Sequence, residues 1–444
     1  MMSDLFSIGR AAIQVNARAL EIVGSNVANA ENPDYVRRSI SVGDTTIYGV
    51  NNPLYGNYTG TGSVAVNGIT RSSDQFLEAA TRQTGASRVK GEALVQWLDQ
   101  GELALSNNET DIGAQLTQLF GTAEELAAIP FEPALRNQFI GDVEASVQRF
   151  NQTASNLSTT ITRINGAAAQ EAEGLNSALN ELATLNEQLR PIPSGTAQHA
   201  ALLDRRDSAL TVITEKLDVE ISFANDGTTN ITRNGTDLLA FNVASPVNLV
   251  TTAGASFDIE IGGVTQAAPS NGTLGGIHRA QSTLVTMSND LDSLAVQFAT
   301  ELNTWQANGQ TDAGAVGAAI VSHGGTAASL TATGLTADDL ALASPGGAAN
   351  GNILAFVDLR TASGTEQGYE AIVMGQAQNL LSARSESEAA TAFDRATREA
   401  RNNVSAVDLD REAADLIRLQ QSYEASARII QVARETMQSI LAIF

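Results

Sequence analysis

The chain contains no cysteine, which excludes disulfides, thiolate metal sites and cysteine nucleophiles, and leaves the compartment open. It has 26 basic residues, but only Lys90 and Lys216 are lysines, against 49 acids; the formal net charge is −23. So acidic a chain is a poor match for nucleic acid, where affinity comes mostly from cations at phosphates, or for an anionic membrane surface. No run approaches 18 apolar residues, so no membrane insertion is expected. The opening "MMSDLFSIGRAAIQVNARAL" has polar residues throughout and no continuous apolar core of the kind a secretory signal peptide needs. Proline is also scarce: none of the nine lies before Pro33 or after Pro345, which frees both ends to form long helices.

Three helical patterns occupy much of the chain, whose 444 residues suffice for two or three domains. Leu5, Ile8, Ala12, Val15, Ala19 and Ile22 recur at alternating steps of three and four, and Asn26 and Asn29 continue the stripe until Pro33 stops it. Phe150, Ala154, Leu157, Ile161, Ile164, Ala168, Glu171, Leu175, Ala178, Leu182, Leu185 and Leu189 form a second seam, predicting one long helix ended by Arg190-Pro191. The third runs Leu409, Ala413, Leu416, Gln420, Tyr423, Ala427, Ile430, Arg434, Met437, Leu441, Phe444. Its apolar rhythm reaches the last residue, an end that calls for a partner. Between the rods the period changes to two. Leu217, Val219, Ile221 and Phe223, then Phe257, Ile259 and Ile261, predict antiparallel strands. "SVAVNGITRSS" predicts a hairpin turning at Asn67-Gly68. Helical spacing returns at Leu284, Met287, Leu291, Leu294 and Phe298, and a Gly/Ala-rich stretch from Gly309 to Gly364 reads either as a small β insert or as a mobile excursion.

Chemistry-bearing motifs are weak. "SRVK", Ser87 to Lys90, has the form S-x-x-K, but its companion K-T-G is absent. "GTGSVA", Gly60 to Ala65, precedes strand-like sequence rather than the helix a dinucleotide loop requires. His199, His278 and His323 are dispersed and lack carboxylates at ligand spacing. "DLDRE", Asp408 to Glu412, has Ala413 where a calcium loop needs glycine; it reads as a helix start capped by Asp408 or Asp410. Trp97 and Trp305 sit in helical patterns and are assigned to the core rather than to ligand stacking. No catalytic residue, metal site or cofactor is assigned, and the chain does not read as an enzyme.

"SNVANAENPDYVRR" resembles the S-x-N-I-A-N-x-N-T-P-G-Y motif of flagellar rod, hook and hook-associated proteins, through Ser25, Asn26, Asn29, Ala30, Asn32, Pro33 and Tyr35. "VDLDREAADLIRLQQSYEASARIIQVARETMQSIL" resembles their C-terminal signature through Glu412, Leu416, Gln420, Gln421, Tyr423, Ala425, Ser426 and Ile430. "ALLDRRDSALTVITEKLDVEIS", "GTLGGIHRAQSTLV" and "LDSLAVQFATELNTWQANGQTDAG" are similar to the hook-associated protein 1 family, so the resemblance covers most of the chain. Two departures stand out. Asp34 replaces the turn glycine, where it would have to tolerate a left-handed backbone, and Trp305 is bulkier than the family's usual residue.

The resemblance implies a mainly α fold with β insertions. Residues 1–71 would form the N-terminal coiled-coil helix, Asn-Pro turn and hairpin; 72–216 a helical rod; and 217–271 an antiparallel β domain. A helix over 272–308 would return to the rod, 309–364 would be a variable insert, and 365–444 would complete the rod and the terminal coiled coil. It further implies an adaptor ring at the hook–filament junction, self-assembled and contacting the hook protein, the second junction protein and the filament. Export would proceed through the flagellar channel, without a cleaved signal peptide, to an extracellular position. Ser25, Asn26, Asn29, Asn32, Pro33 and Tyr35 would form the N-terminal assembly motif. Leu416, Gln420, Tyr423, Ile430, Met437 and Leu441 would form a C-terminal seam, also offered to an export chaperone. The alternative within the superfamily is a hook protein or other rod/hook-type axial protein, which predicts a β-dominated middle. A hydrolase in the insert would need paired carboxylates, for which Asp338, Asp339 and Asp358 are the candidates weighed. An adhesive or immune-recognised role for the β domain is compatible with either.

Overall fold

The computed structural model describes residues 2–45, 63–105, 111–251, 256–362 and 364–441. It is mainly helical, with small antiparallel sheets. The chain divides into two compact units, one of Met1–Ala86, Gly174–Pro246 and Thr391–Phe444, the other of Ser87–Glu173 and Val247–Ala390.

In the first unit α1 (Met2–Ala28) leads through the Asn-Pro turn into β1 (Arg38–Thr45), which pairs antiparallel with β2 (Ser63–Arg71). The hairpin expected at Asn67-Gly68 is not there. Ser41 faces Gly68 and Val42 faces Val66, so Asn67 is the extra residue of a β-bulge within one continuous strand. Asn-Gly serves a bulge as well as a turn, because a glycine inside a strand permits the local kink. Residues 46–62, which join the two strands and include the start of "GTGSVA", lie outside the described residues.

Four helices complete the first unit wholly or in part: α2 (Gln75–Leu105), α4 (Pro133–Leu189), α5 (Ala197–Lys216) and α8 (Thr365–Ser405). Pro133 opens α4, where its missing N–H costs nothing. Of the twelve predicted seam positions on α4, Ile161 and Glu171 are half-buried and the others buried. The seam is apolar because it is the helix's inner face. Strands β3 (Glu220–Phe223), β4 (Thr229–Arg233), β5 (Thr236–Ala240) and β6 (Val243–Ala244) form a meander. Asn186 of α4, fully buried, ties it down by donating to the Thr229 and Phe241 carbonyls and accepting from Thr229 N–H. The final helix, α9 (Leu409–Leu441), also belongs here; Asp408 caps it by accepting from the N–H groups of Asp410 and Arg411.

The second unit contains α3 (Ile112–Ala128), α6 (Gly272–Asn308), α7 (Gly351–Ala362) and the remaining parts of α2, α4 and α8. Strands β7 (Val247–Thr251), β8 (Phe257–Ile261) and β9 (Val264–Gln266) form a separate sheet, so the β region is two sheets, not one. The stretch that sequence left open folds onto α6, carries the small antiparallel pair β10 (Val321–Ser322) and β11 (Thr331–Ala332), and then becomes α7. Ile320, Val321, Leu330, Leu340 and Leu342 are buried there. Trp305 now has a role: its ring lies 4.8 Å from Phe356 of α7 and 5.5 Å from Phe139, and its indole N–H donates to Asn352 O at 2.7 Å. It closes the core where the insert packs.

Candidate functional site

Helices α1 and α9 form an antiparallel pair. Ala19, Leu20 and Val23 pack with Leu416 and Leu419. Farther along, Asn16 donates to Ser426 Oγ at 3.4 Å, and a Cβ at Gly9 would lie 2.8 Å from Ile430. Rising numbers on one helix meet falling numbers on the other. Glu412, Leu419, Ser426 and Ala433, seven residues apart, form the buried row of α9. Leu416 and Ile430 are half-buried beside that row, whereas Tyr423 is 39% and Met437 56% exposed. Gln420, which the sequence rhythm placed in the seam, is exposed, with Leu419 inside instead. The other row was missed because Glu412 and Ser426 are polar, and an apolar pattern passes over them. The side chain of Leu441 and the whole of Phe444 lie outside the described residues.

The motif at the end of α1 is internal wiring. Asn26 is 1% exposed and uses all four of its hydrogen-bonding positions. Its amide donates to Arg38 O at 2.9 Å and Glu412 Oε2 at 3.0 Å; its oxygen accepts from Tyr35 Oη at 2.8 Å and Arg38 N–H at 3.1 Å. Glu412, fully buried, takes Arg37 Nε on its other oxygen at 2.6 Å. One asparagine thus links α1, β1, the turn and α9. Tyr35 is buried, and that burial pushes its hydroxyl above the ordinary phenol range, although Ser25 and Arg38 pull it down. It therefore stays a neutral donor. Ser25 and Asn29 are half-buried, with Asn29 donating to Ser25 O at 2.8 Å. Asn32 and Pro33 are exposed; Asn32 Oδ1 accepts from Asp34 N–H at 3.1 Å, holding the turn. Asp34 does not adopt a left-handed backbone, so the expected strain is absent.

Behind this anchor lies a cluster of ion pairs. Arg38 and Arg71 share Asp204, Arg71 and Arg206 share Asp207, and Arg37 reaches Asp415 as well as Glu412. Arg398 pairs with Asp394 and Glu215, Arg401 lies 3.7 Å from Glu78, and Arg82 is buried near Asp207 and Glu78. Seven guanidiniums therefore face seven carboxylates, leaving no net charge for an anionic ligand. Burial raises the Asp204 and Glu78 carboxyls above their usual range, with the arginines opposing it only in part. At Asp207 burial also pushes upward, but Arg206 and Arg71 outweigh it and the carboxyl is lowered. A groove of about 650 Å³ beside the cluster is lined by Asn29, Asn32 and Tyr35, by Ala178 and Glu181 of α4, and by Val212 of α5. In it the Ser208 hydroxyl donates to Asp34 Oδ2 at 3.2 Å, and no histidine is among the lining residues.

The remaining candidates do not converge. Asp339 caps a short turn by accepting from Thr336 N–H, His278 packs edge-on against Phe257, and His199 sits near Asp226 O. Among the described residues no three His, Asp or Glu side chains could hold a metal ion, and no helix is long and apolar enough to cross a membrane. The anchor's distant members, Glu412 and Asp204, are legible in sequence only through their place in "DLDRE" and "LLDRRD".

Comparison with known proteins converges on one family. The family model described as the flagellar hook-associated protein FlgK helical domain matches residues 98–320, half of the chain. A second, described as flagellar basal body rod FlgEFG protein C-terminal, matches residues 400–443. Flagellar hook-associated protein 1 of Escherichia coli is 27% identical over 68% of this chain and 57% of its own length. The Bacillus subtilis protein of that name is 24% identical over 97% of this chain and 96% of its own. The chain thus spans little more than half of the enterobacterial relative and nearly all of the Bacillus one. The solved flagellar hook junction protein FlgK from Burkholderia pseudomallei superposes with a TM-score of 0.50 at 20% identity, over 55% of this chain and 46% of that one; the likeness is one of fold.

Proposed function

Because the chain belongs to the family of the flagellar hook-associated protein FlgK, we propose that it is a structural protein of the bacterial flagellum, placed at the hook–filament junction. In this reading copies assemble into an adaptor ring on the hook protein, and the second junction protein and the filament build on that ring. The chain reaches its extracellular position through the flagellar export channel. An export chaperone covers α9 beforehand. Tyr423 is open to it as the protein stands, while Leu416 and Ile430 become available only before α9 pairs with α1.

The observation that carries the reading is the outer side of α9. Its inner row is buried against α1, yet Ile417 (56%), Ile429 (43%) and Val432 (61%) remain exposed off that row. Large apolar side chains left open on an already paired helix suit an element that gains further neighbours on assembly. A hook protein calls for a β-dominated middle, whereas the described residues between 75 and 216 form the four helices α2 to α5.

Deletion of the gene tests the proposal. Electron microscopy should show hooks without filaments, with unpolymerised flagellin in the medium. Rods lacking hooks would assign the chain to the hook itself, and normal filaments would refute the junction role.

A further inference from the structure

The second unit carries an exposed apolar turn unrelated to the terminal helices. The connection between α3 and α4 reads Ile129-Pro130-Phe131-Glu132; Ile129 is 57% and Phe131 65% exposed. The turn is not slack. Ile129 N–H donates to Glu125 O, Glu132 N–H to Ile129 O, and Arg136 N–H to Glu132 O. The Arg136 side chain, 5% exposed, donates from Nε to Pro130 O at 2.6 Å and forks onto Asp312 at 2.8 and 3.0 Å. The Phe131 ring stands over that guanidinium at 5.9 Å. The insert adds two more exposed apolar side chains. Val316 (67%) closes the Gln310–Val316 bridge that encloses Asp312 in sequence, and Leu354 (48%) lies one turn into α7 from Asn350, which donates to Ala127 O.

An aromatic residue held open by a buried arginine is preorganised for contact, since little side-chain freedom remains to be lost on binding. The border of the patch indicates what it contacts. Residues 112–135 and 309–358 contain seven carboxylates and no lysine or arginine. Arg136 is neutralised by Asp312, and Arg360, the next cation, is bound to Glu366 at 2.9 Å and lies near Glu124 at 3.7 Å. A second copy, itself at −23, would meet this border with like charge. We propose that the Ile129–Phe131 turn, with Val316 and Leu354, is a docking surface for a different protein whose apolar contact face is bordered by lysine or arginine.

The test places a photoreactive benzoyl-phenylalanine at position 131 of the full-length chain in flagellated cells of its source bacterium. The cross-linked peptide is then identified by mass spectrometry. The surface predicts a cross-link to another polypeptide, at an apolar segment flanked by lysine or arginine. Adding Glu125→Lys and Asp358→Lys, both exposed and flanking the patch, should lower its yield about ten-fold at unchanged thermal midpoint. A cross-link to a second copy, one to a segment without flanking cations, a yield indifferent to the charge reversal, or no cross-link at all would overturn the proposal.

Discussion

At the scale of single residues, the anchor shows why a short polar motif can matter more than its size suggests. Asn26 satisfies a tyrosine hydroxyl, a backbone N–H, a backbone carbonyl and a buried carboxylate at once. No other residue of its size presents two donors and an acceptor oxygen that takes two bonds. Asn26→Ala leaves those groups buried without their partner and should destabilise the first unit by about 2–3 kcal/mol, measured by urea unfolding. Asp207 sets an acid limit. Its carboxyl is lowered in the folded protein, so its contribution is present above the ordinary carboxylate range and is lost as pH falls through the folded value. Asp204 and Glu78, raised by burial, act in the opposite sense and favour folding as they protonate. Stability of Asp207→Asn should therefore fall less steeply than wild type below about pH 4, a difference that thermal midpoints across pH 2–6 would reveal.

At the scale of elements, close approach and polar burial decide which faces meet. A Cβ at Gly276 of α6 would sit 2.3 Å from Lys90 O of α2, inside any real contact distance. Gly276→Ala should cost about 1–3 kcal/mol by forcing the two helices apart, seen as a lower unfolding midpoint with the fold retained. The two polar pairs between α1 and α9, Asn26 with Glu412 and Asn16 with Ser426, act as register pins. A sliding helix would leave Glu412 buried and unpaired, at a cost far above that of a displaced leucine.

At the scale of the molecule, stability can be tested separately from the assembly role proposed for the terminal pair. Ile417→Asp with Val432→Asp alters exposed positions only, so the isolated protein should keep its stability within about 0.5 kcal/mol. Cells carrying the pair should nonetheless lose filaments and motility, as seen by electron microscopy and swimming assays. Filaments of normal length would remove the outer side of α9 from the assembly reading.

The sequence by itself determined the helical seams of α1, α4 and α9, though not the separate helices α2 and α8. The seam from Phe150 to Leu189, the proline-free ends and the capping aspartate at position 408 are local patterns, and burial of one helix face imposes its period directly on the residues. The tertiary structure decided everything that depends on a distant partner. Asn67-Gly68 became a bulge because β1 pairs along the whole of β2. The 309–364 stretch acquired a core because Trp305 and Phe356 meet, and Leu419 replaced Gln420 inside because α1 lies where it does. Glu412 is buried only because Asn26 and Arg37, nearly 400 residues away along the chain, satisfy it. An apolar rhythm records how much surface is hidden from water. Which polar group can be hidden with it depends on hydrogen-bond partners that only the folded chain brings within reach.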